Sequence, residues 1–356
     1  LDPVTETFFT RKTVGSSAVF DWPELRHKGR PMREQASRKS DKVVFRNEHP
    51  DLSHSREEIL AGLQTTQKTV NPKWFYDEYG SQLFDQITRL PEYYPTRTEV
   101  AILTENREQI SARCGHGCLF IEPGSGSSEK VRILLDTLQP AAYVPMDISA
   151  DFLQSAALEL GGEYPWLDIY AVCADFNQGW SFLDALPTGK RVVFYPGSTI
   201  GNLEPKLAAE FLIRVRDMMG ENGGALVGVD THKSTDRLNA AYNDSQGVTA
   251  KFNLNVLRRL NEVMNAEFEE DSFRHHAFYN TEVRRIEMHL VSEREQSVRC
   301  NGGTVEFALG ETLHTESSYK YTPQSFAALV EAAGLKLAQS WMDADELFSV
   351  HYLERA

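Results

Sequence analysis

The chain has 356 residues, 41% of them hydrophobic, and a formal net charge of −14. That is enough apolar material for a full core, divided between two lobes rather than one. An acidic surface repels nucleic acid and anionic lipid, and no apolar run reaches the roughly 18 residues that span a bilayer, so the expected partner is a small molecule, with no nucleic acid and no membrane.

Four cysteines at irregular spacing are too few for a disulfide framework and fit a reducing cytoplasm. Cys114 and Cys118, with His116 between them, lack a second Cys/His pair at matching spacing, so no metal is expected. The charge is uneven: residues 1–50 hold ten Lys/Arg against seven Asp/Glu, leaving 27 against 44 elsewhere. With little apolar periodicity, residues 1–54 read as a basic, loosely ordered extension whose acids argue against a transit peptide. Helical patterning follows over 55–63 and 73–90, where Leu83, Phe84 and Ile87 recur at three and four residues until Pro91 stops the run. Two tyrosines between prolines make 90–99 stiff and aromatic, and helix resumes over 98–110.

The most informative segment is 117–138, GCLFIEPGSGSSEKVRILLDTL. It reads as a strand over 118–121 ending at Glu122, a tight turn, and a helix opened by Ser127, Ser128 and Glu129. Gly124 and Gly126 can take backbone angles closed to other residues, and the free N–H groups of the helix start face whatever the turn holds. Such a turn occurs in dinucleotide binders, in S-adenosylmethionine (SAM) methyltransferases and in plain turns. No Lys-Ser/Thr pair follows the glycines, which excludes a P-loop. A second strand, 143–149, carries Asp147 where a carboxylate can accept from two ribose hydroxyls. A third, 167–174, ends in Asp175 and Phe176, an acid and an aromatic suited to an adenine; helix capping and core packing are the structural alternatives.

A fourth strand, 191–195, runs into the loop 196–202, which should face the reacting group at the carboxyl edge of an open α/β sheet. Asn202 offers an acceptor and donors there, or caps the helix that starts near Glu204. Helix over 211–219 and strand over 225–230 continue the rhythm. It breaks between 231 and 318, where helices over 236–242 and 248–268 and alternating strands over 283–291 and 304–307 read as an inserted lobe. Helix 323–333 and strands 335–342 and 347–353 then close the sheet as an antiparallel hairpin.

The chain resembles the histidine-specific Nα-methyltransferases of ergothioneine biosynthesis from about residue 74 onward. The resemblance rests on WFYDEYGSQLFDQITRLPEYYPTRTE at 74–99, EPGSGSSEK at 122–130, MDIS at 146–149, PGSTIGN at 196–202, AAYNDSQGVTAKFNLNVL at 240–257, RIEMHL at 285–290 and TESSYK at 315–320. It implies a class I SAM-methyltransferase fold, a doubly wound α/β sheet, with an inserted α+β substrate-binding lobe: 55–96 and 231–318 for substrate, 97–230 and 319–356 for SAM. It implies SAM contacts at Gly124, Lys130, Asp147, Asp175 and Phe176, and L-histidine contacts at Tyr93, Asn202, Tyr242, Glu316 and Ser318. Tyr76 and Met288 resemble further positions of that pocket. Pro123 departs from the family, which usually has Leu there, and proline fixes φ and removes an N–H.

The implied reaction is three methyl transfers to the α-amino nitrogen of histidine, giving hercynine (Nα-trimethylhistidine), with a sulfur-transfer enzyme of the same pathway as an implied partner. The amine must be neutral to attack, so neutral hydrogen-bonding groups suit it: Tyr76, Tyr93 and Asn202 are read as the catalytic group that holds and aligns it. A carboxylate serves better at the imidazole end, which makes Glu316 the specificity residue. Two other readings are an N-methyltransferase of a prenylated tryptophan, for which smaller residues at 288 and 316 would be wanted, and a non-catalytic SAM-binding regulatory protein.

Overall fold

The computed structural model describes residues 42–48, 52–175, 182–183, 186–300 and 303–356. In chain order, strand β1 (Val43–Asn47), helix α1 (Leu52–Leu63), the two-residue strand β2 (Lys68–Thr69) and a 3-10 helix (Pro72–Phe75) lead into α2 (Glu78–Thr88), α3 (Tyr94–Glu105) and α4 (Arg107–Cys114). Alternation of strand and helix then begins: β3 (Leu119–Pro123), α5 (Glu129–Leu138), β4 (Ala142–Asp147), α6 (Ala150–Glu163), β5 (Asp168–Cys173), β6 (Arg191–Tyr195), α7 (Pro205–Met219) and β7 (Gly224–Asp230). Next come α8 (Thr235–Tyr242), α9 (Val248–Met264), β8 (Phe273–Asn280), β9 (Arg285–Ser292), β10 (Gln296–Cys300), β11 (Gly303–Phe307) and β12 (Thr312–Tyr319). Helix α10 (Pro323–Ala332) and strands β13 (Leu335–Met342) and β14 (Phe348–Arg355) end the chain.

Eight strands form one sheet in the order β1-β5-β4-β3-β6-β7-β14-β13, parallel from β1 to β7 and antiparallel at β14 and β13. Strands β3 and β7 are buried at every position, as expected of parallel strands covered by helices on both faces. The closing hairpin is the one the sequence predicts, and the sheet is the expected doubly wound class I arrangement. The carboxyl ends of β3 to β7 share one edge, where such sheets bind ligands.

A second sheet, β2-β12-β9-β8, is antiparallel apart from the β2–β12 pair, and β10-β11 form a separate hairpin. Two apolar cores correspond to the two sheets. One joins side chains from 59–94 and 238–313, among them Phe75, Phe252, Ile286 and Leu313. The other joins 102–226 and 341–352, with Phe120 and Phe194 stacked 5.2 Å apart across neighbouring strands.

Several boundaries differ from the sequence expectation for local reasons. Residues 43–47, assigned to the loose extension, form the edge strand β1, pairing in parallel with Ile169 to Cys173 of β5; helix α1 likewise begins at Leu52. The rest of the extension lies outside the described residues. The run 73–90 is not one helix: Asn71 caps the 3-10 turn by accepting from the Lys73 N–H, and Asp77 caps α2 by accepting from the Gly80 N–H at 2.6 Å. Tyr76 sits at that junction. The run 98–110 is interrupted at Asn106, and its first part starts at Tyr94, because Pro95 is tolerated in a first helical turn. Asn265, with φ 46°, ends α9 before Phe268.

Candidate active site

The turn after β3 has Gly124 at φ 70° and Gly126 at φ 52°, the left-handed region that favours glycine, and a Cβ at Gly126 would meet nothing within 4 Å. Pro123 is accommodated as the last residue of β3, opposite Met146, and the turn beyond it is fastened by the Ser125 N–H to the Met146 carbonyl at 2.9 Å. Asp147, at the end of β4, backs the turn: Oδ2 accepts from Gly126 N–H and Oδ1 from Ser149 N–H, both at 3.0 Å. Burial raises its carboxyl, and those N–H groups pull it back in part. Beneath the turn, Glu122 accepts from the Tyr143 hydroxyl, and burial pushes its carboxyl to about 8. Lys130, in the first turn of α5, lies 2.6 Å from the fully buried carboxylate of Glu99 on α3, and both Glu99 oxygens accept from Gly197 N–H at 3.0 and 2.9 Å. Asp175, just beyond β5, lies 3.5 Å from the Lys73 ammonium. Phe176 lies outside the described residues.

The other predicted residues arrive from several different elements. Asn202 ends a 3-10 turn, Thr199–Asn202, at the carboxyl edge of β6. Tyr93 immediately precedes α3, and Tyr242 is the last residue of α8. Met288 on β9 is directly opposite Glu316 on β12, so the two share a face, and Ser318 follows two residues along it. Rings join into a wall: Phe84 meets Tyr76 edge-on at 5.8 Å and Tyr93 at 6.4 Å, and Tyr93 meets Tyr242 at 6.2 Å. One cavity of about 970 Å³ is lined by every predicted residue except Phe176.

Burial sets the charge state of this cavity. The Glu316 carboxylate makes no hydrogen bond to the described residues; burial pushes it up to about 7, with Lys320 opposing. Burial, reinforced by Glu316, also holds the hydroxyls of Tyr76, Tyr93 and Tyr242 well above the ordinary tyrosine range. They are therefore neutral at any working pH.

Sequence reasoning missed the layer behind these groups. Asp230, at the end of β7, accepts from the Tyr94 hydroxyl at 2.8 Å and pairs with Lys233 at 2.5 Å and Lys320 at 2.8 Å. Burial pushes Asp230 upward, but the two ammonium groups outweigh it and its carboxyl is lowered. Lys320 stood inside the TESSYK block without an assigned role. Its signal was available: a lysine two and four residues after Ser318 and Glu316 keeps to their face of the strand.

Among the described residues, Glu287, His289 and His314 each place one potential metal ligand within 4.8 Å of the others. Glu287 Oε1 accepts from Arg285 at 2.9 Å and Asn280 at 3.0 Å, and its Oε2 lies 3.1 Å from His289 Nε2. Cys114 and Cys118 are buried free thiols, and burial pushes Cys118 to about 12.

A sequence model described as histidine-specific, SAM-dependent methyltransferase matches residues 55–355. A histidine N-alpha-methyltransferase of Mycolicibacterium smegmatis is 45% identical over 295 residues, 81% of this chain and 91% of that protein. Its counterpart from Mycobacterium tuberculosis is 44% identical over the same shares. The ergothioneine biosynthesis protein 1 of Neurospora crassa is 29% identical over 79% of this chain, but the match covers only 32% of that longer protein. With a cofactor cradle and an aromatic, carboxylate-bearing chamber in one cavity, the chain belongs to the histidine-specific, SAM-dependent methyltransferases and is a SAM-dependent N-methyltransferase.

Proposed function

We propose that the protein methylates the α-amino nitrogen of L-histidine three times, giving hercynine, as the first step of ergothioneine biosynthesis. The observation that carries this reading is Glu316: a buried carboxylate without a protein hydrogen bond among the described residues, on the wall of the cavity that also holds the glycine turn. A buried acceptor of this kind calls for a donor on the ligand, and an imidazole N–H supplies one.

The residues fit SAM. Gly124 and Gly126 let it approach the main chain, Asp147 and Asp175 present acceptors for ribose and adenine, and Lys130 stands at the helix start. When bound, SAM supplies an electrophilic methyl on a sulfonium. The chain's own groups govern the amine. Asn202 and the hydroxyls of Tyr76 and Tyr93, none of which bonds to another described side chain, hold it without adding negative charge that would keep it protonated. The faces of Tyr93 and Tyr242 stabilise the growing cationic ammonium by about 0.5–2 kcal/mol. The lobes divide accordingly, with 97–230 and 319–356 holding SAM and 55–96 and 231–318 holding histidine. We place the reaction in the cytoplasm, as four free buried thiols favour, with a sulfur-transfer enzyme downstream.

Mass spectrometry of the protein incubated with SAM and each common amino acid tests the reading. Histidine alone gaining three methyls is the expected result. A product that stops at one or two methyls, or tryptophan as the acceptor, overturns it.

A further inference from the structure

Glu316, Ser318 and Lys320 continue one alternating row along β12 and just past its end, and all three line the cavity. Lys320 is 3% exposed. Its Nζ lies 2.8 Å from Asp230 Oδ2, 2.8 Å from Ser318 Oγ and 3.2 Å from the Tyr242 hydroxyl. An ammonium has three donors and no acceptor, so Lys320 has no N–H left for a ligand. It acts through the hydroxyls that it grips.

Those hydroxyls have a fixed proton count. Tyr242 donates to Ser318 at 3.0 Å, so Ser318 Oγ accepts from both Tyr242 and Lys320 and both its lone pairs are used. Its own proton finds no acceptor among the described residues. Reversing the Tyr242–Ser318 bond moves the spare proton to Tyr242 and leaves the count unchanged. Either way the pair can give one proton to the cavity, and two residues away Glu316 can accept one.

We propose that Lys320 is the positioning residue for substrate specificity: it turns the Ser318–Tyr242 pair into a donor, so that with Glu316 the site reads a neutral ring bearing one N–H and one bare nitrogen. This rests on histidine being the acceptor. An imidazole satisfies both groups. An indole has the N–H but no bare nitrogen and leaves a buried hydroxyl proton unpaired, and ring methylation of histidine blocks one nitrogen or the other.

The test uses the full chain and four ligands: histidine, its two ring-N-methyl isomers and tryptophan. Wild type should bind both isomers about 100-fold more weakly than histidine. Lys320→Met should raise KM for histidine about tenfold, the weight of one aligned hydrogen bond, with a smaller change in kcat. It should also shrink the penalty against one isomer, the one with its acceptor nitrogen methylated, about tenfold while leaving the other penalty in place. Affinity for demethylated SAM should not change. If Lys320→Met does not fold, because Asp230 loses a partner, the Asp230→Asn/Lys320→Met double variant removes both charges and carries the same expectation. Unchanged KM with unchanged discrimination, or an equal loss for histidine and both isomers, overturns the proposal while leaving histidine methylation intact. Wild type that does not methylate histidine overturns both.

Discussion

In the proposed reading, Glu316 concentrates the chemistry of recognition in one side chain that the cavity wall keeps buried. Its carboxyl titrates near 7, so the charged acceptor forms as pH rises through that value. The kcat/KM for histidine should therefore climb across this window more steeply than ionisation of the substrate amine alone requires, and Glu316→Gln should remove the extra slope. Glu316→Ala should cost about 1.5–3 kcal/mol of transition-state binding, roughly 10- to 150-fold in kcat/KM. The same shift has a signed effect on folding. A carboxyl raised from 4.5 to about 7 favours the fold below 4.5, and that contribution is lost as pH rises through 7. Ligand-free Glu316→Gln should thus melt higher than wild type at pH 8, by the equivalent of a few kcal/mol, and equal it near pH 4.5. The TESSYK block makes Glu316 and Ser318 legible from the amino-acid order alone, because a family motif places them. Lys320, Asp230 and Glu99 are not legible as site residues: charged side chains are read as surface unless their partners are known, and theirs lie up to 136 residues away in sequence.

At the level of elements, the 3-10 turn carrying Asn202 packs directly on β12. A Cβ at Gly201 would lie 2.8 Å from the Tyr319 carbonyl oxygen, a backbone atom that cannot rotate aside. Gly201→Ala should push Asn202 away from Glu316 and Ser318 and lower kcat/KM by about 100-fold with SAM affinity little changed, as steady-state kinetics beside calorimetry would show. Strands β3 to β7 were readable because their apolar runs are continuous, whereas β1 of the same sheet, only three apolar residues followed by Arg46 and Asn47, was read as part of the extension. Strand β8 was missed because His275 and His276 interrupt its pattern, and β12 because its buried face carries Glu316 and Ser318 where a core strand would carry aliphatic residues. The break at Tyr76 escaped the sequence reading for the opposite reason: apolar spacing ran on past Tyr76, which ends the 3-10 turn, and Asp77, which caps the start of α2.

For the molecule as a whole, the strand β1 shields β5, and a truncation that takes β1 away exposes that edge. Compared with a chain that begins at residue 42, one that begins at residue 49 uncovers the parallel-strand edge at Ile169 to Cys173 and should be less stable and aggregate more readily, visible by light scattering on heating.

One carboxylate also spans the two functions of the cavity. Glu99 grips Lys130 on the helix behind the glycine turn and Gly197 in the loop that leads to Asn202. The expected consequence is that affinities for the two substrates are linked, and linkage is reciprocal: the factor by which demethylated SAM tightens histidine must equal the factor by which histidine tightens demethylated SAM. Calorimetric titrations in both orders should give one common ratio, on the order of 5- to 150-fold, and Glu99→Gln should bring both ratios toward one together.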